Sequence, residues 1–294
     1  MVYIPDTLSI VNGITATLIM ISGFAIGISM WLAMRHSDSK LLPYQGAFSF
    51  ALGTYYSGIT LSFFSIIFTQ YNIANNWIVW MSYTVSPIGV GFAMYVGFSM
   101  IKPKLAKPMA WSYGCSAVIH WASLWFNWLG PATIARWDPT LLPAGLPSYI
   151  YGGVEIPAGK YGISIPNTLV DVGMIPENAQ LAAMGIHASL AYWMTMIYLL
   201  SYMVILGGGF IYLAFHSSGE VRSRSIKYAY GIIIFTLCGY VDSAVDPAGF
   251  GVDPGLFMVI VRLVMFSSYV VLYMGMKPPK SVSAPVKAKD YYPT

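Results

Sequence analysis

Charge is what this sequence has least of. Only 9% of its 294 residues are Asp, Glu, Lys or Arg, against about 25% in soluble globular domains. With 57% of the residues hydrophobic, the chain cannot cover itself with polar surface. That excludes a water-soluble domain and makes lipid the solvent. Cysteine is almost absent too. Cys115 and Cys238 are the only two, and both lie in apolar stretches, which excludes a disulfide framework. Short segments of alternating polarity are missing, which excludes an outer-membrane barrel. There is no Walker loop, no Gly-x-Ser-x-Gly and no zincin motif, and no Arg-rich voltage sensor. The N-terminus "MVYIPDTLSI" has no basic n-region, so no cleavable signal peptide is expected.

What the chain does have is long apolar runs. A helix needs roughly 20 such residues to cross a hydrocarbon core about 30 Å thick. Seven stretches qualify: Leu8–Met34, Gly46–Thr69, Trp77–Ile101, Met109–Trp128, Leu181–Phe215, Ile226–Val245 and Gly255–Met276. The basic residues sort by side. Arg35, Lys40, Lys102, Lys104, Lys107, Arg222, Arg224, Lys227, Lys277, Lys280, Lys287 and Lys289 fall in alternate connections and the tail, while the opposite side carries Arg136 and Lys160. The expected fold is therefore an all-α integral membrane protein with seven transmembrane helices, N-terminus outside and C-terminus cytoplasmic. The net charge of +4 then reads as a topology signal, not as the footprint of a nucleic acid. Residues 1–276 form a single seven-helix domain and 277–294 a cytoplasmic tail.

The long connection between helices 4 and 5, residues 129–179, holds seven prolines with many glycines and aromatics. That density argues against a long helix, and the apolar content argues against a disordered linker. It reads as a folded outer cap, with short strands around "YIYGGVEIPAGKYGISI". Elsewhere, Gly23 and Gly27 have the small-xxx-small spacing that lets helices approach closely. Gly207–Gly209 would loosen the fifth span. The tryptophans Trp111, Trp125, Trp128 and Trp193 and several tyrosines fit interfacial belts or helix packing.

Ionisable groups within spans are functional candidates by default. In "CGYVDSAVDPAGFGVDPGLFMVIVRLVMF", Asp242 and Arg262 fall at similar depth on adjacent antiparallel helices. They read as a structural ion pair, with a ligand or proton site as the alternative. Asp246 and Asp253 each precede a proline and read as helix stop and start. His120 and His187 both fall in the outer half of the bilayer. Together they could hold a b-type haem, or a metal with Asp242 as third ligand; hydrogen-bonded structural histidines are the other reading. His36 and His216 sit at cytoplasmic helix ends.

The seven-helix, N-out arrangement and the stretch "LFMVI" resemble the microbial rhodopsins. That family requires a lysine in the seventh span for its retinal Schiff base. The seventh span here has none, and Arg262 cannot form one, so no retinal linkage is implied. A looser resemblance is to the seven-helix input domains that precede archaeal histidine kinases, through Asp242, Arg262, Ser267, Ser268, Tyr273 and Gly275. Only 18 residues follow Met276, so an attached output domain is not expected.

Three functions remain open at this level. The chain is a non-catalytic integral subunit of a larger membrane assembly, respiratory or otherwise redox. Alternatively it holds haem, metal or quinone itself through His120 and His187. Alternatively it is a receptor-like sensor that signals through a separate partner. The cap, with Trp137, Tyr149, Tyr151 and Tyr161, and the tail are the surfaces expected to meet other subunits, over roughly 800 Å² or more per partner.

Overall fold

The computed structural model describes residues 7–37, 39–69, 71–73, 80–126, 148–151, 154–157, 164–166, 190–244, 252 and 254–276. The architecture is all-α. The helices are α1 (Thr7–Ala33), α2 (Leu42–Thr54), α3 (Ser57–Thr69), α4 (Ser86–Ile101), α5 (Pro103–Phe126), α6 (Leu190–Ser201), α7 (Gly208–Phe215), α8 (Gly219–Ala244) and α9 (Pro254–Met276). Two short antiparallel strand pairs lie in the connections. β1 (Tyr71–Ile73) pairs with β4 (Ser164–Pro166), and β2 (Ser148–Tyr151) pairs with β3 (Val154–Pro157). The strands expected around "YIYGGVEIPAGKYGISI" are these last three. The rest of residues 129–179, the tail, Trp128, His187, Asp246 and Asp253 lie outside the described residues.

Prolines and a glycine punctuate the helices. Pro43 and Pro87 sit in the first turns of α2 and α4, and Pro103 and Pro254 open α5 and α9. A proline there forfeits only an N–H that has no intrahelical acceptor. Gly219 starts α8 at φ 59°, in the left-handed region that a side chain would strain. Glu220 follows in the first turn, where a carboxylate complements the helix dipole. α5 and α8 begin six or seven residues before their apolar stretches. Their charged first turns keep helical hydrogen bonding although hydropathy no longer marks them.

Four of the helical segments are long and apolar enough to cross a membrane: Ile10–His36, Trp80–Ile101, Leu190–Phe215 and Leu256–Met276. The others depart for visible reasons. α2 and α3 are parted at Tyr55 and Tyr56, whose amides reach back to Leu52 and Gly53, only three residues. The apolar stretch of α5 is diluted by Ser112, Ser116, His120 and Ser123, and that of α8 by Lys227 and Asp242.

Close helix contacts run through glycine. A Cβ on Gly23 would lie 2.6 Å from the Cα of Gly53, and one on Gly27 would lie 2.8 Å from the carbonyl oxygen of Gly46. The small-xxx-small pair therefore seats α1 against α2. Gly209 and Gly97 bring α7 against α4 in the same way. The triple glycine directly follows or closes a π-helical turn, Tyr202–Gly207, where one extra residue is accommodated before α7 resumes. Gly231 and Gly275 let α8 and α9 approach, with Leu272 opposite Gly231 and Tyr228 opposite Gly275.

The core is unusually rich in tyrosine. Tyr202, Tyr228 and Tyr269 are fully buried, beside Phe48 and Phe235. These tyrosines serve packing, whereas Trp111 and Trp193 stay exposed on the surface. Antiparallel pairing also gathers Arg35, Lys40, Lys102, Lys104, Lys107, Arg222, Arg224 and Lys227 at one end of the bundle. Among the described residues Arg262 is the basic residue outside that group.

Candidate functional site: a buried charge centre and a polar ladder

α8 and α9 are in register along most of their length. Tyr228, Phe235 and Asp242 recur every seven residues on α8, and Arg262, Tyr269 and Met276 do so on α9. All six are buried. Seven residues are close to two helical turns, so each set forms one stripe. The Phe235 and Tyr269 rings meet edge to face at 4.7 Å between centroids. One heptad further out, Asp242 faces Arg262.

Arg262 Nε lies 3.7 Å from Asp242 Oδ1, and the two residues are 2% and 1% exposed. Two other columns join them. Tyr56 Oη donates to Asp242 Oδ2 at 2.7 Å, and Arg262 Nη1 donates to the Asn12 carbonyl at 3.3 Å. The guanidinium carbon also stands 5.7 Å from the centroid of the Tyr56 ring, within cation–π range. The break between α2 and α3 is what places Tyr56 here. One charge centre thus ties together α1, the α2–α3 break, α8 and α9. Asp242 and Arg262 could be paired from sequence. Tyr56 and Asn12 could not, because nothing local marks a tyrosine or a backbone carbonyl as a partner some 200 residues away.

His120 belongs to a different structure. Four consecutive polar contacts join α5 to α6. Tyr113 Oη meets Ser201 Oγ at 2.9 Å, and Ser116 Oγ meets Tyr198 Oη at 2.6 Å. His120 Nε2 meets Thr195 Oγ1 at 3.1 Å, and Ser123 Oγ accepts from the Ala191 amide at 3.0 Å. Advancing three or four residues on α5 while retreating three or four on α6 is the signature of antiparallel helices in register. Thr195 Oγ1 already donates to the Ala191 carbonyl. His120 therefore donates through Nε2, and its Nδ1 is left as a bare acceptor with no hydrogen-bond partner. The ring is fully buried and packs near Tyr198, 5.7 Å between centroids.

Sequence reasoning found His120 but not the ladder, although its spacing of polar residues every three to four positions on both helices was readable. A haem or metal at His120 would need further donors. The described neighbours are hydroxyls, an aromatic ring and helix backbone, which do not form a metal-binding set. Among the described residues no group of three His, Cys, Asp or Glu comes together. Convergence of His120 with His187 lies outside the described residues.

Comparison with known proteins gives no matching family model and no matching curated protein.

Proposed function

We propose that the chain is a non-catalytic, seven-span integral subunit of a larger membrane assembly. The observation that carries this reading is how the polar side chains of the interior engage one another. The Asp242–Arg262–Tyr56–Asn12 centre and the α5–α6 ladder join helix to helix. These contacts rigidify a scaffold. Outside, α6, the π-helical turn and α7 present Trp193, Ile197, Val204 and Phe215, all more than half exposed, as surface for lipid or neighbouring subunits.

Packing supports the seven-span reading. α2–α3, α5 and α8 run beside the four apolar helices and meet them through glycine at matching levels. On this reading, a bilayer thick enough for the four also encloses α2–α3, α5 and α8. The basic end then faces the cytoplasm, with the N-terminus and the 129–179 cap outside. Capture of the chain from native membranes in gentle detergent, followed by subunit identification, tests the proposal. The expected result is at least one stoichiometric membrane subunit. A monomer with no companion would overturn it and favour the sensor.

A redox subunit is the second reading, carried by the bare, buried Nδ1 of His120. It requires a Soret band or bound metal in the purified protein that is lost in His120→Ala. A colourless, metal-free preparation retaining its companions would remove it.

A further inference from the structure

The outward faces of α8 and α9 leave a groove of about 330 Å³ between them. Tyr230 and Ile234 wall it from α8, and Leu263, Val264 and Val271 wall it from α9. Ser267 and Ser268 complete the lining, with side chains too short to fill the space between Val264 and Val271. Both hydroxyls turn back onto their own helix. Ser267 Oγ donates to the Leu263 carbonyl and Ser268 Oγ to the Met265 carbonyl. The groove therefore presents hydrocarbon and satisfied hydroxyls.

Its shape limits what can enter. Leu263 to Val271 is about 12 Å along the helix. A volume of about 330 Å³ spread over that length is about 5 Å across. A neighbouring helix, about 10–12 Å in diameter with its side chains, is too wide to lie in it, whereas a single hydrocarbon chain is not. The length also approaches the depth of one leaflet, about 15 Å for half of a 30 Å core.

The groove has a charged end. Lys227, Tyr230 and Ile234 stand at i, i+3 and i+7 on α8 and so share one face. Lys227 is half-buried one turn before Tyr230, where its stem can lie on apolar surface with the ammonium at the interface. Tyr230, 57% exposed, then falls where tyrosine is favoured, at the boundary of hydrocarbon and head groups. Among the described residues, Glu220 is the carboxylate at the basic end, and Arg224 engages it at 3.2 Å. No described carboxylate is within ion-pair distance of Lys227.

We infer that the α8–α9 groove binds an anionic phospholipid, with one acyl chain lying between Tyr230 and Leu263 and the phosphate meeting Lys227. The acyl chain supplies the apolar contacts, and the head group supplies the negative charge that the basic end lacks. A zwitterionic lipid offers the same chain without net charge and binds more weakly. The inference rests on α8 and α9 spanning the bilayer, not on companion subunits. A chain captured alone would still hold the lipid, and a chain that holds no lipid would still be free to hold companions.

Native mass spectrometry of the full chain tests this, with the protein released from nanodiscs of equal phosphatidylglycerol and phosphatidylcholine carrying identical acyl chains. Phosphatidylglycerol should be retained severalfold in excess of phosphatidylcholine. Equal retention would overturn the inference. Retention of neither, with a companion subunit in their place, would assign the groove to protein instead. Lys227→Gln should reduce the excess about fivefold, the share of one lysine near an anionic surface. Lys104→Gln, at the same end but on α5, should leave it unchanged; an equal loss in both variants would mean a diffuse basic surface and refute the groove. Val264→Trp, at a position 45% exposed, fills the groove without entering the core and should abolish the excess, and wild-type retention would refute the site. If that chain does not fold, Ser267→Leu fills the same groove and is read by the same two outcomes.

Discussion

Arg262→Leu is the perturbation that most directly tests the charge centre. Arg262 Nε and Asp242 Oδ1 are 3.7 Å apart. At an effective dielectric constant of about 20, two unit charges at that distance attract by about 4 kcal/mol. Removing the arginine leaves a carboxylate that is 1% exposed with the Tyr56 hydroxyl still bound to it. Breaking a buried pair from one side costs about 3–5 kcal/mol. The Asn12 carbonyl loses only one donor, so its share is small. Reversible unfolding in mixed micelles, or steric trapping in bicelles, should show a loss of about 3 kcal/mol or more for Arg262→Leu. Asp242→Leu combined with Arg262→Leu should recover at least half of it, because no charge is then left buried. A residual cost of about 1 kcal/mol arises from Tyr56, which loses its Asp242 acceptor, and adding Tyr56→Phe should reduce it. If the single change costs under about 0.5 kcal/mol, or the double change is the sum of both singles, the reasoning fails.

The glycines divide by surroundings. Gly231→Ala should destabilise by about 1–3 kcal/mol, because its Cβ would lie 2.7 Å from the Leu272 backbone nitrogen. Gly114→Ala meets nothing within 4 Å and should be neutral or stabilising by about 0.5–1 kcal/mol; the same unfolding assay separates them. In the α5–α6 ladder, Ser116→Ala and Thr195→Val should each cost about 0.6 kcal/mol, and no more than about 1.7. Measured in pairs across one contact, such as Ser116→Ala with Tyr198→Phe, the costs should fall short of additivity.

The elements legible in the sequence were those with a one-dimensional signature. Apolar length marked the helical stretches, and Gly23 and Gly27 marked the closest α1–α2 approach. The rarity of charge singled out Asp242 and Arg262. Other features have no such signature. The break at Tyr55 and Tyr56 contains no proline or glycine, so apolar content ran smoothly through it. Yet it is this break that delivers Tyr56 to Asp242. The π turn at Tyr202–Gly207 was visible only as the glycines at its end. Tyrosine was read partly as an interfacial residue because its hydroxyl favours water. In this interior Tyr202, Tyr228 and Tyr269 are instead enclosed. His120 was singled out for its chemistry, but its environment is set by Thr195, a residue unremarkable alone.

The proposed function depends on how the columns sit in the membrane, and cysteine accessibility in intact cells measures that directly. In a background of Cys115→Ala and Cys238→Ala, single cysteines are introduced as Ser39→Cys, Ser148→Cys and Ser281→Cys. A membrane-impermeant maleimide added from outside should label Ser148→Cys. It should reach Ser39→Cys and Ser281→Cys only after the membrane is permeabilised. Labelling of Ser39→Cys in sealed cells, with Ser148→Cys protected, would contradict the orientation and the assignment of the basic end to the cytoplasm.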